Sequence, residues 1–352
     1  MLDRIQLEDF RNHPATVLDG AGRFNLLVGD NGAGKTNVLE AISLLAPGRG
    51  LRRAALGDMA GGGGGAFAVS ARLGDIALGT AVRAGQPGRR IVHVNGADSS
   101  AVRLSEWLGL AWLTPAMDRL FADGASARRR FLDRLVLALE PGHAGLAARY
   151  ETALRERNRL LAEPADPDPA WLDAIEAQLA ETGAALSAAR ADCVARLGEA
   201  LAETPEQPFA RPVLAYAAET PPATLAAALK TGRRRDRAAG RTLSGPHRDD
   251  LSVTLATKDR PAAECSTGEQ KAMLIAIILA HAALSDPARP RVLLLDEVAA
   301  HLDAARRAAL FERLRVLPGQ YWLTGTELAP FDGIADEAAV WRVSEGAVER
   351  LT

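Results

Sequence analysis

The chain opens on a run of alternating apolar and polar positions. Residues 2–9, LDRIQLED, carry the pattern of a half-buried strand. Residues 24–28 form a short apolar run ending at a glycine turn, which predicts a buried strand. From Thr36 to Ala46 the apolar residues Val38, Leu39, Ile42 and Leu45 fall at helical spacing, and Pro47-Gly48 stops the helix. The order is therefore strand, glycine loop, helix. From about residue 66 the period returns to two. Segments 66–73, 76–83 and 90–94 predict meander strands, with turns at Gly74-Asp75, residues 85–88 and Asn95-Gly96.

The middle of the chain is helical. Residues 144–163 show a stripe at Leu146, Tyr150, Leu154, Arg157 and Leu161. PADPDP at 164–169 is a turn with Asp168 as N-cap and Pro169 in the first helical position. Residues 170–202 then carry Leu172, Ile175, Leu179, Thr182, Leu186, Ala189, Cys193 and Leu197 at steps of three and four, a heptad seam. Two helices joined by a short proline turn predict an antiparallel coiled-coil hairpin; the alternative is an ordinary helical subdomain. Beyond a mixed stretch at 203–240, strands are predicted at 251–256, 292–295 and 321–324, helices at 267–284 and 304–316, and a closing hairpin at 340–343 and 347–351. This is an α/β head of mixed sheets with helices, made from residues 1–105 and 240–352. It is split by a helical arm domain at 106–239.

Composition narrows the classes. A chain of 352 residues suits two domains. Its two cysteines, Cys193 and Cys265, stand far apart in no metal-ligand spacing, which fits a reducing compartment. The longest apolar stretch, 272–284, is too short to span a bilayer, and the acidic N-terminal residues are unlike a signal peptide. A cytoplasmic protein with no membrane partner is expected. The net charge of −2 means that any DNA contact must come from local patches. The candidates are Arg49, Arg52 and Arg53, residues 128–130, and the basic run 233–237. Few aromatics interleave them, which favours duplex backbone contact over base stacking. Arginine outnumbers lysine 38 to 4, so a lysine is rare here, and Lys35 and Lys271 both fall inside motifs.

Three motifs carry the chemistry. Gly29-Asp30-Asn31-Gly32-Ala33-Gly34-Lys35-Thr36 is a complete G-x-x-x-x-G-K-[ST] loop between a strand and a helix. Its glycines let backbone N–H groups turn around phosphate oxygens at a helix N-terminus. Lys35 would neutralise the outer phosphates, the Thr36 hydroxyl would bind Mg²⁺, and Asn37 follows as part of the same ATP site. Val292-Leu293-Leu294-Leu295-Asp296-Glu297 is an apolar strand ending in two acids. Asp296 suits Mg²⁺, and Glu297 suits positioning or deprotonating the attacking water. Ser266-Thr267-Gly268-Glu269-Gln270-Lys271 lies 30 residues before Asp296, at the start of a long helix. Ser266 alone reads equally as a helix N-cap.

In this order and spacing, the third motif resembles the signature of ABC-type ATPases. The resemblance implies that Ser266 and Gly268 close on ATP held by a second subunit, in a head-to-tail homodimer. Asp303, after His301-Leu302, matches the loop that crosses such an interface. The helical insertion resembles the SMC-related branch. Ile5 to His13, GDNGAGKTNVLEAISLLAPGRGLR, Arg129 to Asp133, Tyr150 to Leu161, Ser244 to Leu251 and DEVAAHLDAARR resemble the RecF family of bacterial recombinational-repair ATPases. That resemblance covers nearly the whole chain. It implies that Arg11 and Asn12 reach the nucleotide, and that an ATP-driven clamp acts on DNA at single-strand/duplex junctions. It also implies RecR and RecO as partners and loading of RecA. Two features depart from ABC heads: no glutamine stands near residues 112–118, and no histidine follows the strand ending at Thr324. Slow hydrolysis is expected. An ATP-gated binding module with incidental turnover and a transport-coupled subunit are the other readings. His247-Arg248-Asp249-Asp250 invites a nuclease reading, but adjacent acids on a strand point to opposite faces, which favours ion pairs.

Overall fold

The computed structural model describes residues 1–205, 207–284 and 289–352. Strands β1 (Leu2–Phe10) and β2 (His13–Asp19) pair antiparallel. Ile5 and Leu7 of β1 are buried on one face, as the alternation predicts, and Leu2 and Phe10 are buried with them across a register shift between Leu2 and Arg4 and a positive φ at Asp9. After β3 (Phe24–Val28), the loop and α1 (Lys35–Ser43), the meander follows as β4 (Phe67–Leu73), β5 (Ile76–Val82), β6 (Arg90–Val94) and β7 (Ala97–Ser99). These form a six-stranded sheet in the order β2-β1-β4-β5-β6-β7. Its inner side chains share one apolar cluster with Val38, Leu39 and Ile42 of α1. The C-terminus of α1 is closed by Arg90, which donates to the carbonyls of Leu44, Ala46 and Gly48. With no acid paired to it, burial pulls the Arg90 pKa down to about 10. A short α2 (Leu104–Trp107) leads into β8 (Gly109–Leu113).

Residues Asp118–Ala280 form a second unit. It contains α3 (Ala125–Leu139), α4 (His143–Ala162), α5 (Pro169–Ala202), β9 (Pro212–Ala217), α6 (Leu225–Ala239), β10 (Asp250–Leu255) and β11 (Arg260–Pro261). It also holds most of α7 (Thr267–Ala283). The proline turn has the expected cap, with Asp168 accepting from Ala170 N at 2.8 Å. Arg157 meets Glu176, and Tyr150 lies beside Gly183, so α4 and α5 run antiparallel. The hairpin is therefore present, but it is not a free two-helix coiled coil. Glu176, Gly183, Ser187, Arg190 and Val194 are buried on α5 beside the heptad seam: Leu225 of α6 packs on Gly183, while Ser187 meets Asp249 and Arg190 meets Asp133 and the Pro246 carbonyl. Arg157 is fully buried at this junction. It donates to Glu176, Asp236, Thr242 Oγ1 and the Leu229 carbonyl at 2.8–2.9 Å.

The chain then returns to the first unit, Met1–Met117 with His281–Thr352. It adds β12 (Arg291–Leu295), α8 (Ala304–Val316), β13 (Gln320–Gly325), β14 (Ala338–Ser344) and β15 (Ala347–Arg350). The second sheet runs β15-β14-β3-β13-β12-β8, parallel except at the closing hairpin. Every residue of β3, β8, β12 and β13 is buried, as parallel strands covered on both faces require. Trp322 and Trp341 stack at 5.4 Å in this core.

The units divide differently from the expected 1–105 with 240–352 and 106–239. Residues 109–113 belong to the head unit because β8 pairs with β12. Residues 240–280 group with the helical unit because β10 pairs with β9.

Candidate nucleotide-binding site

Two glycines of the loop 29–34 are obligatory. Gly29 has φ 152°, and a Cβ there would lie 2.1 Å from the Val343 carbonyl oxygen. Gly34 has φ 118°, and a Cβ would lie 2.7 Å from His13 Nε2 and 2.8 Å from Asn12 Oδ1. These neighbours hold the loop from behind. Asn12 Nδ2 donates to the Ala33 carbonyl at 2.9 Å, and Gly346 N donates to the same oxygen at 3.0 Å. His13 Nε2–H donates to the Gly34 carbonyl at 3.1 Å. Asn37 Nδ2 donates to Asn12 Oδ1, and Thr16 Oγ1 to the Gly346 carbonyl. In a trans peptide the carbonyl and the next N–H point opposite ways. Tying back the carbonyls of Ala33 and Gly34 therefore aims the N–H groups of Gly34 and Lys35 into the cradle. Asn31 and Gly32 form its exposed rim.

Lys35 donates to the carbonyls of Gly29 and Asp30 at 2.6 and 2.8 Å. Burial lowers its pKa, against the opposing pull of Glu297, Asp296 and Asp30. Asp296 follows β12, and its Oδ1 accepts from Thr36 Oγ1 at 2.9 Å and Thr324 Oγ1 at 2.8 Å. Thr324 Oγ1 in turn accepts from Glu297 N at 2.8 Å. Glu297 itself stands at φ 53°, a left-handed conformation uncommon outside glycine. Asp296 is 6% exposed. Burial raises its pKa; the two hydroxyls lower it, and Glu297 raises it again. A buried carboxylate served only by hydroxyl donors fits Mg²⁺, with Thr36 as the second ligand. No cluster of three or more His, Cys, Asp or Glu suited to a metal exists among the described residues. A Mg²⁺ that takes its remaining ligands from phosphate and water needs no such cluster.

The second unit carries the third motif. Ser266, Thr267 and Gly268 are exposed at the start of α7, with nothing within 4 Å of a Cβ placed on Gly268. Ser266 forms a capping box: its N–H and Oγ–H donate to Glu269 Oε2 at 2.9 Å. The Lys258 ammonium, and then the Ser266 donors, hold the Glu269 carboxyl down to about 2. Lys271 lies 3.6 Å from Asp118. In the first unit, Asp303 caps α8, accepting from Arg306 N at 2.8 Å.

Arg11, expected at the nucleotide, is held within the chain in this structure. It forms a fork with the fully buried Glu40 and donates to the Asp58 carbonyl. Arg52 shares Glu40 and also meets Asn37. Other candidate DNA arginines are likewise engaged inside the chain. Arg128 pairs with Asp250, Arg233 with Asp173 and Glu176, and Arg237 with Asp166. Arg49, Arg130 and Arg234 are exposed and carry no such pairing among the described residues. The carboxylates of Asp249 and Asp250 point to different partners. Asp249 is fully buried and accepts from Tyr216, Ser187 and Glu219 N, while Asp250 takes Arg128. Thr324 is the functional residue that sequence reading passed over.

Comparison with known proteins places this geometry. Residues 1–324 match the family described as RecF/RecN/SMC N terminal domain. The chain is similar to the DNA replication and repair protein RecF of Mesorhizobium japonicum, at 48% identity over 99% of this chain and 97% of that protein. It is similar to the RecF of Brucella suis at 47% identity, over 97% of this chain and 94% of that protein. Among solved structures it resembles the recombination mediator protein RecF-ATP of the RecFOR pathway, with TM-score 0.86, 22% identity, and 100% and 97% of the two chains covered. It also resembles an Smc head with an extended coiled coil from Pyrococcus furiosus, with TM-score 0.55 and 16% identity, over 99% of this chain and 95% of that one. At these identities the structures establish the fold alone, an ABC-type ATPase head with a helical arm. No described helix is long and apolar enough to cross a membrane.

Proposed function

Since the chain belongs to the RecF family, we propose that it is an ATP-dependent DNA-binding protein of replication and recombinational repair. ATP binds the loop through Gly29, Asn31, Gly32, Ala33, Gly34, Lys35, Thr36 and Asn37, with Asn12 acting from behind. Mg²⁺ held by Thr36 and Asp296 would offset the charge of the phosphates. Glu297 orients the attacking water and takes its proton. Ser266 and Gly268 of a second copy cover the outer phosphate, with Asp303 at the same interface, so ATP drives a head-to-tail homodimer. That dimer clamps DNA at gapped or single-strand/duplex junctions, and hydrolysis releases it. RecO and RecR are the partners this reading implies, in loading RecA. The observation that carries it is the hydrogen-bonded run Thr36–Asp296–Thr324–Glu297 at the mouth of a complete phosphate loop.

The test is binding of the Glu297→Gln protein to a gapped duplex, with and without ATP and Mg²⁺, at two salt concentrations. Turnover is expected to fall at least a hundredfold, on the order of the loss of a positioned general base. Tight, salt-sensitive binding is expected only with ATP. Binding indifferent to ATP, or absent with it, would overturn the reading. A second reading, an ATP-gated binding module with incidental turnover, draws on the Thr324-Gly325-Thr326 sequence that replaces the transporter histidine after β13. It predicts that wild type and Glu297→Gln leave DNA at the same rate once ATP is removed.

A further inference from the structure

The GPHR turn at 245–248 is unused by the ATP chemistry. It borders a cavity of about 430 Å³ in the helical unit, between the start of α3, the second half of α4 and residues 241–248. The polar lining is Arg129, Asn158, Arg241, Thr242, His247 and Arg248, and no carboxylate lines it among the described residues.

The hydrogen bonds decide which of these groups is free to bind. His247 is not. Its Nε2–H donates to the Thr242 carbonyl at 3.0 Å, and its Nδ1 lies 2.7 Å from the Tyr150 hydroxyl. Burial, with Arg248 and Arg129 nearby, holds the ring below the usual histidine pKa, so it is a neutral wall. Thr242 accepts from Arg157 and donates to Asn158 Oδ1. That leaves the Asn158 amide NH₂ without an acceptor among the described residues. Arg129 gives NH1 to the Asp249 carbonyl and keeps its other donors. Arg241 and Arg248 are exposed, and neither guanidinium meets an acceptor among the described residues. The neighbouring arginines differ: Arg128 is paired with Asp250, and Arg190 with Asp133. Arg241 and Arg248 bring two exposed guanidinium groups to the same concavity as Arg129, an arrangement that favours an anion. Their planar forks suit phosphate oxygens.

We propose that this cavity seats a backbone phosphate of DNA, with Arg241 and Arg248 as its principal ligands and Arg129 and Asn158 completing it. Ala125 and Leu154 supply apolar wall for the flanking sugar. A contact to a phosphate oxygen positions the strand without reading its sequence. The inference rests on the DNA-binding reading above.

The experiment measures the affinity of the full-length protein for a gapped duplex, with ATP and Mg²⁺, across a salt series. It compares wild type, R241Q/R248Q and R241K/R248K. The glutamine pair is expected to bind about tenfold more weakly at low salt, with a salt slope shallower by about 1; the lysine pair keeps the slope. Both positions are exposed, and a melting curve checks the fold; R248Q alone carries the same comparison if the double variant melts early. An unchanged slope in R241Q/R248Q overturns the seat and leaves the DNA reading standing. Failure of the wild type to bind DNA overturns that reading itself. Calorimetric titration with inorganic phosphate separates the source. A phosphate response lost in R241Q/R248Q, with an unchanged DNA slope, marks a small-anion site and overturns the DNA assignment.

Discussion

Thr324 joins the two acids of the site. The register of β12 with β13 sets Leu295 beside Leu323, which brings Asp296 and Thr324 together. One hydroxyl then donates to the Asp296 carboxylate and accepts from Glu297 N. Thr324→Val removes both contacts and leaves a buried carboxylate with one donor fewer, a cost of about 1–3 kcal/mol. ATP turnover is expected to fall roughly five- to a hundredfold by the same figure, and Thr324→Ser should retain most of it, as steady-state assays would read. The pH dependence has a definite sign. Burial raises the Asp296 pKa, and the Thr324 hydroxyl counters that rise. Between the ordinary aspartate value and the raised one, the folded protein holds a proton that the unfolded chain has lost. Stability from this group therefore falls as pH rises through that window. In Thr324→Val the window widens upward, so the acid limb of Mg²⁺-dependent activity should move to higher pH. The loop and both acids were legible from spacing alone. Thr324 was not, because a threonine closing an apolar strand looks like any β-branched strand residue until the parallel register is known.

At the scale of elements, Arg157 is the pin of the helical unit. It bridges α4, α5 and α6 through two buried carboxylates, a hydroxyl and a carbonyl. Arg157→Ala leaves Asp236 without its main partner and Glu176 held by Arg233 alone. It should lower the stability of this unit by about 3–5 kcal/mol, visible as an earlier urea transition in the full chain. Ser266→Ala dismantles the capping box of α7. A loss of about 1 kcal/mol in the helix terminus is expected, and the Glu269 carboxyl should titrate above its present value of about 2, which an NMR titration reads. The period of 3.5 in α5 located the helix and its partner. It could not disclose the second face, because Arg190, Glu176 and Ser187 look solvent-bound in a linear pattern, whereas here they are buried against polar partners. β8 went unread because GLAWL gives no alternation when both faces are covered. α3 went unread because its Arg128 to Arg130 run looked like a nucleic-acid patch. Arg128 instead fastens α3 to Asp250, and Arg129 gives one donor to the Asp249 carbonyl.

At the scale of the whole molecule, the proposed head-to-tail dimer makes a complementation test. Lys35→Ala and Ser266→Arg should each abolish ATP turnover, since every site in either homodimer lacks one half. In a one-to-one mixture half the dimers are mixed, and each mixed dimer holds one intact site. About a quarter of wild-type turnover should return; no recovery would mean that the two motifs act within one chain. The insertion of a helical unit was legible from the interval between Lys35 and Asp296, but its edges were not, since they follow strand pairings rather than composition. One pairing reaches further. The cradle is completed from behind by Gly346 N on the Ala33 carbonyl, by Val343 against Gly29, and by β14 along β3. These partners are encoded roughly 300 residues after the loop. At about 5–20 residues per second of synthesis, the loop emerges some 15–60 s before its support exists. The nascent chain is therefore born unable to hold ATP firmly and acquires that capacity with its last hairpin. Any product of a message cut short before residue 338 lacks this support for its phosphate loop.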